Sequence, residues 1–103
     1  MRITQMKSPN GKEVPNQFII SELGRGANGN FIKKEVFQSY KSIIAERITW
    51  DDRVDVTLDK QYWDFSTTTG KYRNQFLGEG IAETRKKIES GAYKLEDLNK
   101  NLD

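Results

Sequence analysis

One stretch constrains this chain more than any other: Tyr62-Trp63-Asp64-Phe65-Ser66-Thr67-Thr68-Thr69-Gly70-Lys71-Tyr72-Arg73-Asn74-Gln75-Phe76-Leu77. It holds the densest aromatic cluster and the clearest strand-to-helix transition in the sequence. Tyr62, Trp63 and Phe65 favour a pleated, half-buried surface, so the first half reads as the end of a strand. Ser66 and the three threonines offer hydroxyls to the free N–H groups of a first helical turn. Tyr72 and Phe76 follow at i and i+4, on one helical face, with Leu77 beside them. Gly78 is placed to end the helix in the left-handed conformation. Gly70 costs such a helix about 1 kcal/mol against alanine, which points to a helix start near Thr69 or to a close backbone contact. The aromatics are expected in the core, Trp63 fully buried among them.

The residues on either side extend this into a fold. Met1 to Lys12 is polar and contains the turn signal Ser8-Pro9-Asn10-Gly11, so residues 1–12 read as a flexible arm or a short edge strand ahead of one domain, 13–103. Glu13 to Leu23 reads as a strand, with Pro15 near its start where a missing N–H is tolerable. Phe31 to Tyr40 and Ile43 to Thr49 read as two more. Ile43-Ile44-Ala45 is the most continuous apolar run and is expected at the sheet centre. Val54, Val56 and Leu58 alternate with polar residues as a half-buried strand does. A second helix is expected over Ile81 to Ser90, closed by Gly91, with Tyr93, Leu95 and Leu98 pinning the tail to the domain. The fold class is α+β: an antiparallel sheet of three to five strands, then two short helices packed on one face.

Two absences exclude chemistry. The 103 residues contain no cysteine and no histidine. Cysteine nucleophiles, histidine bases, zinc sites and haem ligation are thereby removed, no cofactor is expected, and the chain does not read as an enzyme. The net charge of +2, with acids and bases interleaved, is too balanced for a strongly basic nucleic-acid binder. No apolar run approaches a membrane span and no secretion signal opens the chain, so a cytoplasmic setting is expected.

Two motifs invite stronger readings. Gly24-Arg25-Gly26-Ala27-Asn28-Gly29 matches G-x-G-x-x-G, but a dinucleotide site needs a helix after the glycines, and Phe31 to Phe37 reads as a strand. A flexible hairpin loop is the better reading. Asp51, Asp52, Asp55 and Asp59 lack the spacing of a calcium loop and read as a solvated turn and strand face.

The segments Phe37-Gln38-Ser39-Tyr40-Lys41-Ser42-Ile43-Ile44-Ala45 and Tyr62 to Leu77, with Ile88-Glu89-Ser90-Gly91-Ala92-Tyr93 behind them, resemble a set of small uncharacterised proteins of bacteriophages and other mobile elements. The resemblance runs from about Val36 to Asn99, and the Gly24 to Asn30 loop looks like an insertion relative to shorter members. No catalytic residue is carried over. The resemblance implies a phage context and the cytoplasm of an infected bacterial host.

Size, composition and that context lead to two functional expectations. The first is a non-enzymatic binding protein that blocks a host machine, such as a CRISPR nuclease or another defence enzyme, through a few aromatic and arginine anchors. The second is a single-stranded nucleic-acid binder of phage replication or recombination, with Lys33, Lys34, Lys41, Arg47, Lys71 and Arg73 interleaving with aromatics. The expected partner surface joins Lys71 and Arg73, pointing outward from the first helix, with Arg85, Lys86 and Lys87 on the second.

Overall fold

The computed structural model of the chain describes residues 1–26 and 30–100. The described residues form an α+β domain with six strands and two helices. The strands are β1 (Arg2–Lys7), β2 (Glu13–Leu23), β3 (Lys33–Ser39), β4 (Ser42–Thr49), β5 (Val54–Asp59) and β6 (Tyr93–Glu96). The helices α1 (Thr67–Leu77) and α2 (Ile81–Glu89) lie between β5 and β6 in sequence. All six strands join one sheet in chain order. The first five form an antiparallel meander, and β6 pairs parallel to β5.

The sheet is thus larger than the expected three to five strands, and it does not end before the helices. β6 is only four residues long, too short to show an alternation, and it read as a tail. A parallel neighbour needs a crossover connection, and α1 and α2 supply it. The segment 1–12, expected as a flexible arm or edge strand, holds β1. Its anchor is Met6, buried in the core beside a shift of register between Gln5 and Lys7.

The core sits between the sheet and the helices. Met6, Phe37, Ile44, Ala45, Val56 and Leu58 come from the strands, and Tyr72 and Phe76 from α1. Phe76 stacks on Phe37 with ring centroids 5.8 Å apart. The i, i+4 reading of the α1 aromatics therefore holds. Trp63 does not sit fully inside: it is half-buried and packs against the edge of the core. Phe65 is 64% exposed.

Glycine is required at the β2–β3 connection. The Gly24 N–H donates to the Ile32 carbonyl at 2.8 Å. A Cβ on Gly24 would lie 1.9 Å from the Phe31 carbonyl oxygen, so no other residue fits there without the backbone moving. The hairpin-loop reading of Gly24 to Asn30 falls in part on Ala27, Asn28 and Gly29, which lie outside the described residues. The segment after them enters β3, not a helix. No helix among the described residues is long and apolar enough to cross a membrane.

Among the described residues, the Gln17 amide and the Arg73 Nε are buried without hydrogen-bond partners. Gln17 is fully buried on β2, opposite Ser39, and neither its amide nitrogen nor its oxygen has a hydrogen-bond partner. A buried amide without partners costs about 1–3 kcal/mol. Gln17→Met keeps the volume and removes that cost, so the variant is expected to melt several degrees higher. A lower melting temperature in calorimetry would show that the amide is satisfied after all.

Candidate functional site

The chain between β5 and α1 is folded by Asp59. This side chain was expected on a solvated face with Asp51, Asp52 and Asp55, but it is buried. One oxygen accepts the N–H groups of Gln61 at 3.1 Å and Tyr62 at 2.8 Å, and the other accepts the Leu98 N–H at 2.8 Å. Both the turn after β5 and the tail after β6 are fixed to one carboxylate. Asp55 instead accepts from the Trp50 indole and from Arg53, which also meets Asp52, at the β4–β5 turn.

The turn delivers Trp63 and Asp64 to the start of α1. Ser66 is the N-cap, accepting the Thr69 N–H at 3.1 Å. The Thr69 hydroxyl is itself buried against Ser39 of β3 at 2.9 Å. α1 therefore begins at Thr67, earlier than the expected start near Thr69, and Gly70 lies within it. The alternative, a close backbone contact, is not seen either: a Cβ on Gly70 would lie 3.6 Å from the Arg73 guanidinium, an ordinary van der Waals distance to a side chain.

Arg73 is the main correction to the expected site. It does not point outward; it is 1% exposed. Its Nη1 donates to the Trp63 carbonyl at 2.8 Å and to Asp64 at 3.2 Å, and its Nη2 donates to the Asn74 side-chain oxygen at 3.0 Å. The guanidinium carbon lies 5.3 Å from the centre of the Trp63 ring. A planar cation can be buried this way because it stacks and donates in one plane, but it is no longer free to meet a partner. Asp64 also accepts from Arg85 of α2 at 3.4 Å. One exposed carboxylate thus links the buried arginine of α1 to a surface arginine of α2.

The other expected residues separate into two groups. Lys71 is exposed, lies near the Tyr72 ring, and shares an open depression with Asp64, Ser66, Thr67, Gly70, Asn74 and Ile81. Arg85 and Lys86 are exposed on α2. Lys87 is instead committed to Glu79, donating at 2.7 Å, and lies over the Tyr93 ring. Glu79 also accepts from Thr84 at 2.7 Å and from the Tyr93 hydroxyl at 2.8 Å, so it fastens α2 to β6. Burial pushes the Glu79 carboxyl up, but the hydrogen bonds from Lys87, Thr84 and Tyr93 outweigh it and hold the pKa below the ordinary value.

The cations proposed to interleave with aromatics do not share one surface. Lys33 and Lys34 are adjacent in β3 and face opposite sides of the sheet. Lys33 meets Glu35, and Lys34 meets Glu46. Arg47 pairs with Glu35, donates to the Phe76 carbonyl at 2.8 Å and covers the Phe76 ring at 4.4 Å. It supplies the positive charge that the last turn of α1 lacks. For Glu35, burial pushes the carboxyl up, and Arg47 and Lys33 bring it below its ordinary value.

Sequence reasoning missed Phe65. Its ring meets Tyr62 edge-on at 5.5 Å and otherwise faces outward, next in sequence to Asp64. The only available signal was its place after the turn, beyond the alternation of β5.

Residues 1–92 match a protein family of unknown function, DUF8033. The chain belongs to this family. No curated protein and no solved structure matches it. The DUF8033 match runs through both helices and the whole Asp64–Arg73–Arg85 arrangement, includes the Gly24 to Asn30 loop, and ends one residue before β6.

Two outcomes check these roles. Arg73→Lys loses the planar fork and is expected to cost about 1.5–3 kcal/mol in chemical denaturation; unchanged stability would return Arg73 to the surface. Glu79 and Glu35 have depressed pKa values, so their contribution is complete above the ordinary value of 4.5 and is lost as pH falls through the folded-state values. Glu79→Gln is therefore expected to be less stable than the parent at pH 7, with the gap closing under acid. A gap of constant size from neutral pH to below pH 4 would rule this out.

Proposed function

We propose that this chain is a non-enzymatic binding protein of the phage or mobile-element type that docks on a host protein and blocks it, a CRISPR nuclease or another nucleic-acid defence enzyme being the class of target. The observation that carries this reading is the exposed ring of Phe65 beside a carboxylate tied to both helices. Phe65 follows Asp64, which Arg73 and Arg85 hold from two helices, and Lys71 lines the adjoining depression. Interfaces concentrate their affinity in aromatic and arginine anchors, and a support ordered in advance lowers the entropy cost of docking. The proposed surface is Phe65, Lys71, Arg85 and Lys86. Arg73 serves beneath it as the positioning residue, and Lys87 serves the α2–β6 junction.

The charge around Phe65 suits a protein surface with an apolar pocket and an acidic rim. The phage resemblance supplies the setting, the cytoplasm of an infected bacterium. Single-stranded nucleic acid is the weaker partner because Lys33, Lys34 and Arg47 are paired with acids and Arg73 is buried.

The test is retention of a protein from nuclease-treated host lysate on immobilised chain, followed by titration of the purified target. Phe65→Ser with Lys86→Glu changes exposed residues and is expected to leave the melting temperature within a few degrees while weakening affinity by about a hundredfold or more. Equal affinity in the folded double variant would remove this surface as the site. Retention that disappears on nuclease treatment, with a steep salt dependence, would favour the nucleic-acid reading instead.

A further inference from the structure

The β3–β4 connection is built against its own backbone preference. Ser39 pairs with Ser42, so Tyr40 and Lys41 alone make the turn. Tyr40 has φ 55, in the left-handed region. Among the described residues, Asn16 at φ 66 is the other non-glycine residue there, and Lys41 is not. Positive φ at the first of two turn residues ordinarily takes glycine. For a bulky side chain it is an outlier with a steric cost. Asn16 tolerates the region better, and its carbonyl accepts the Tyr40 N–H at 2.7 Å. Gln17, with its unpartnered amide, follows Asn16 and lies opposite Ser39. Three departures from a stable arrangement thus meet at one end of the sheet. Packing does not offset the Tyr40 cost: the side chain is 52% exposed and takes no part in the core.

Strained backbone of this kind gathers at sites that hold a ligand or partner. We propose that Tyr40 is a second recognition anchor, inserted into the same host protein that the Phe65 surface meets; the inference rests on that reading. The fold joins the two positions. The Ser39 hydroxyl lies 2.9 Å from the Thr69 hydroxyl, and the Ser66 hydroxyl donates to Thr69 Oγ1 at 3.1 Å. Tyr40 follows Ser39 in sequence, and Phe65 precedes Ser66. Two exposed rings therefore flank one cluster of hydroxyls, and the β3–β4 tip continues the surface at the start of α1.

Charge describes what the tip meets. Lys41 is exposed and, like Lys71 and Lys86, forms no ion pair among the described residues. A ring beside an unmatched cation fits an apolar pocket with carboxylates at its rim. Tyrosine brings a large contact area with few rotatable bonds, and a two-residue turn holds its backbone in place before docking.

Calorimetry of the full chain, with titration of the protein retained from nuclease-treated host lysate, tests the inference. Tyr40→Gly removes the steric cost and is expected to melt a few degrees higher, yet to bind at least about tenfold more weakly. Tyr40→Asn also visits the left-handed region, with less freedom in the unfolded chain than glycine, and is expected to share both effects. Tyr40→Phe keeps ring and strain together, so its melting temperature and affinity are expected near those of the parent. A residue that only supports the turn would not combine higher stability with weaker binding. The inference is overturned if both the glycine and the asparagine variants melt below the parent, or if either binds as tightly as the parent. Should Phe65→Ser with Lys86→Glu abolish binding while Tyr40→Gly does not, Tyr40 alone is removed from the interface. Should the parent retain no protein, or retain it only through nucleic acid, the reading of the Phe65 surface fails and this inference with it.

Discussion

A guanidinium taken out of water must find acceptors; the two terminal nitrogens of Arg73 find them in the Trp63 carbonyl and the side chains of Asp64 and Asn74, while its buried Nε has none. These groups come together only when the turn after β5 folds back over α1. The turn in turn depends on Asp59, whose carboxylate gathers the N–H groups of Gln61 and Tyr62. Breaking the arginine's contacts would leave a cation in a site shielded from solvent, a large cost for a small domain. The arrangement from Asp59 to Leu77 is therefore cooperative: turn, tryptophan and first helix form together.

Arg47 does the corresponding work at the other end of α1. It covers Phe76, accepts the company of Glu35, and donates to the last-turn carbonyl of the helix. Arg47 thus holds α1 to the sheet and Arg73 holds it to the turn before it, each placed over an aromatic ring. The functional consequence is that several of the cations expected to meet a partner are committed within the domain. Lys33, Lys34, Arg47, Arg73 and Lys87 all have structural acids as partners. Lys71 and Lys86 keep their charge available for recognition, and Arg85 shares its charge with a carboxylate that is itself exposed.

How much of this could be read from the sequence varies with how local the signal is. The alternation of Val54, Val56 and Leu58, the Ile43-Ile44-Ala45 run, and the Tyr72–Phe76 spacing are short-range patterns, and β5, β4 and the packed face of α1 follow from them. Ser66 and Gly78 signalled the ends of α1, although three consecutive threonines obscured which hydroxyl is the cap. Arg73 was illegible because a charged residue one step from Tyr72 is ordinarily solvated; what buries it is the Trp63 turn, a tertiary contact. Phe65 misled in the opposite sense, since an aromatic beside Trp63 resembles core until the turn at Tyr62 carries it outward. β6 and β1 show why short edges escape notice. Four residues carry no periodicity, and β1 has one buried anchor, Met6.

The parallel pairing of β6 also fixes an order of assembly. The five-strand meander closes through hairpins, each joining neighbours in sequence, and such local contacts form quickly. β6 can take its place only after both helices have carried the chain back across the sheet. Its clamps join residues far apart, Leu98 to Asp59 and Asn99 to Ile43, across 39 and 56 positions. Until they close, β5 is an unprotected edge and Asp59 lacks one of its donors. Strand association between chains competes most effectively in that interval. The docking of those four residues covers the β5 edge, which would otherwise be open to strand pairing between chains.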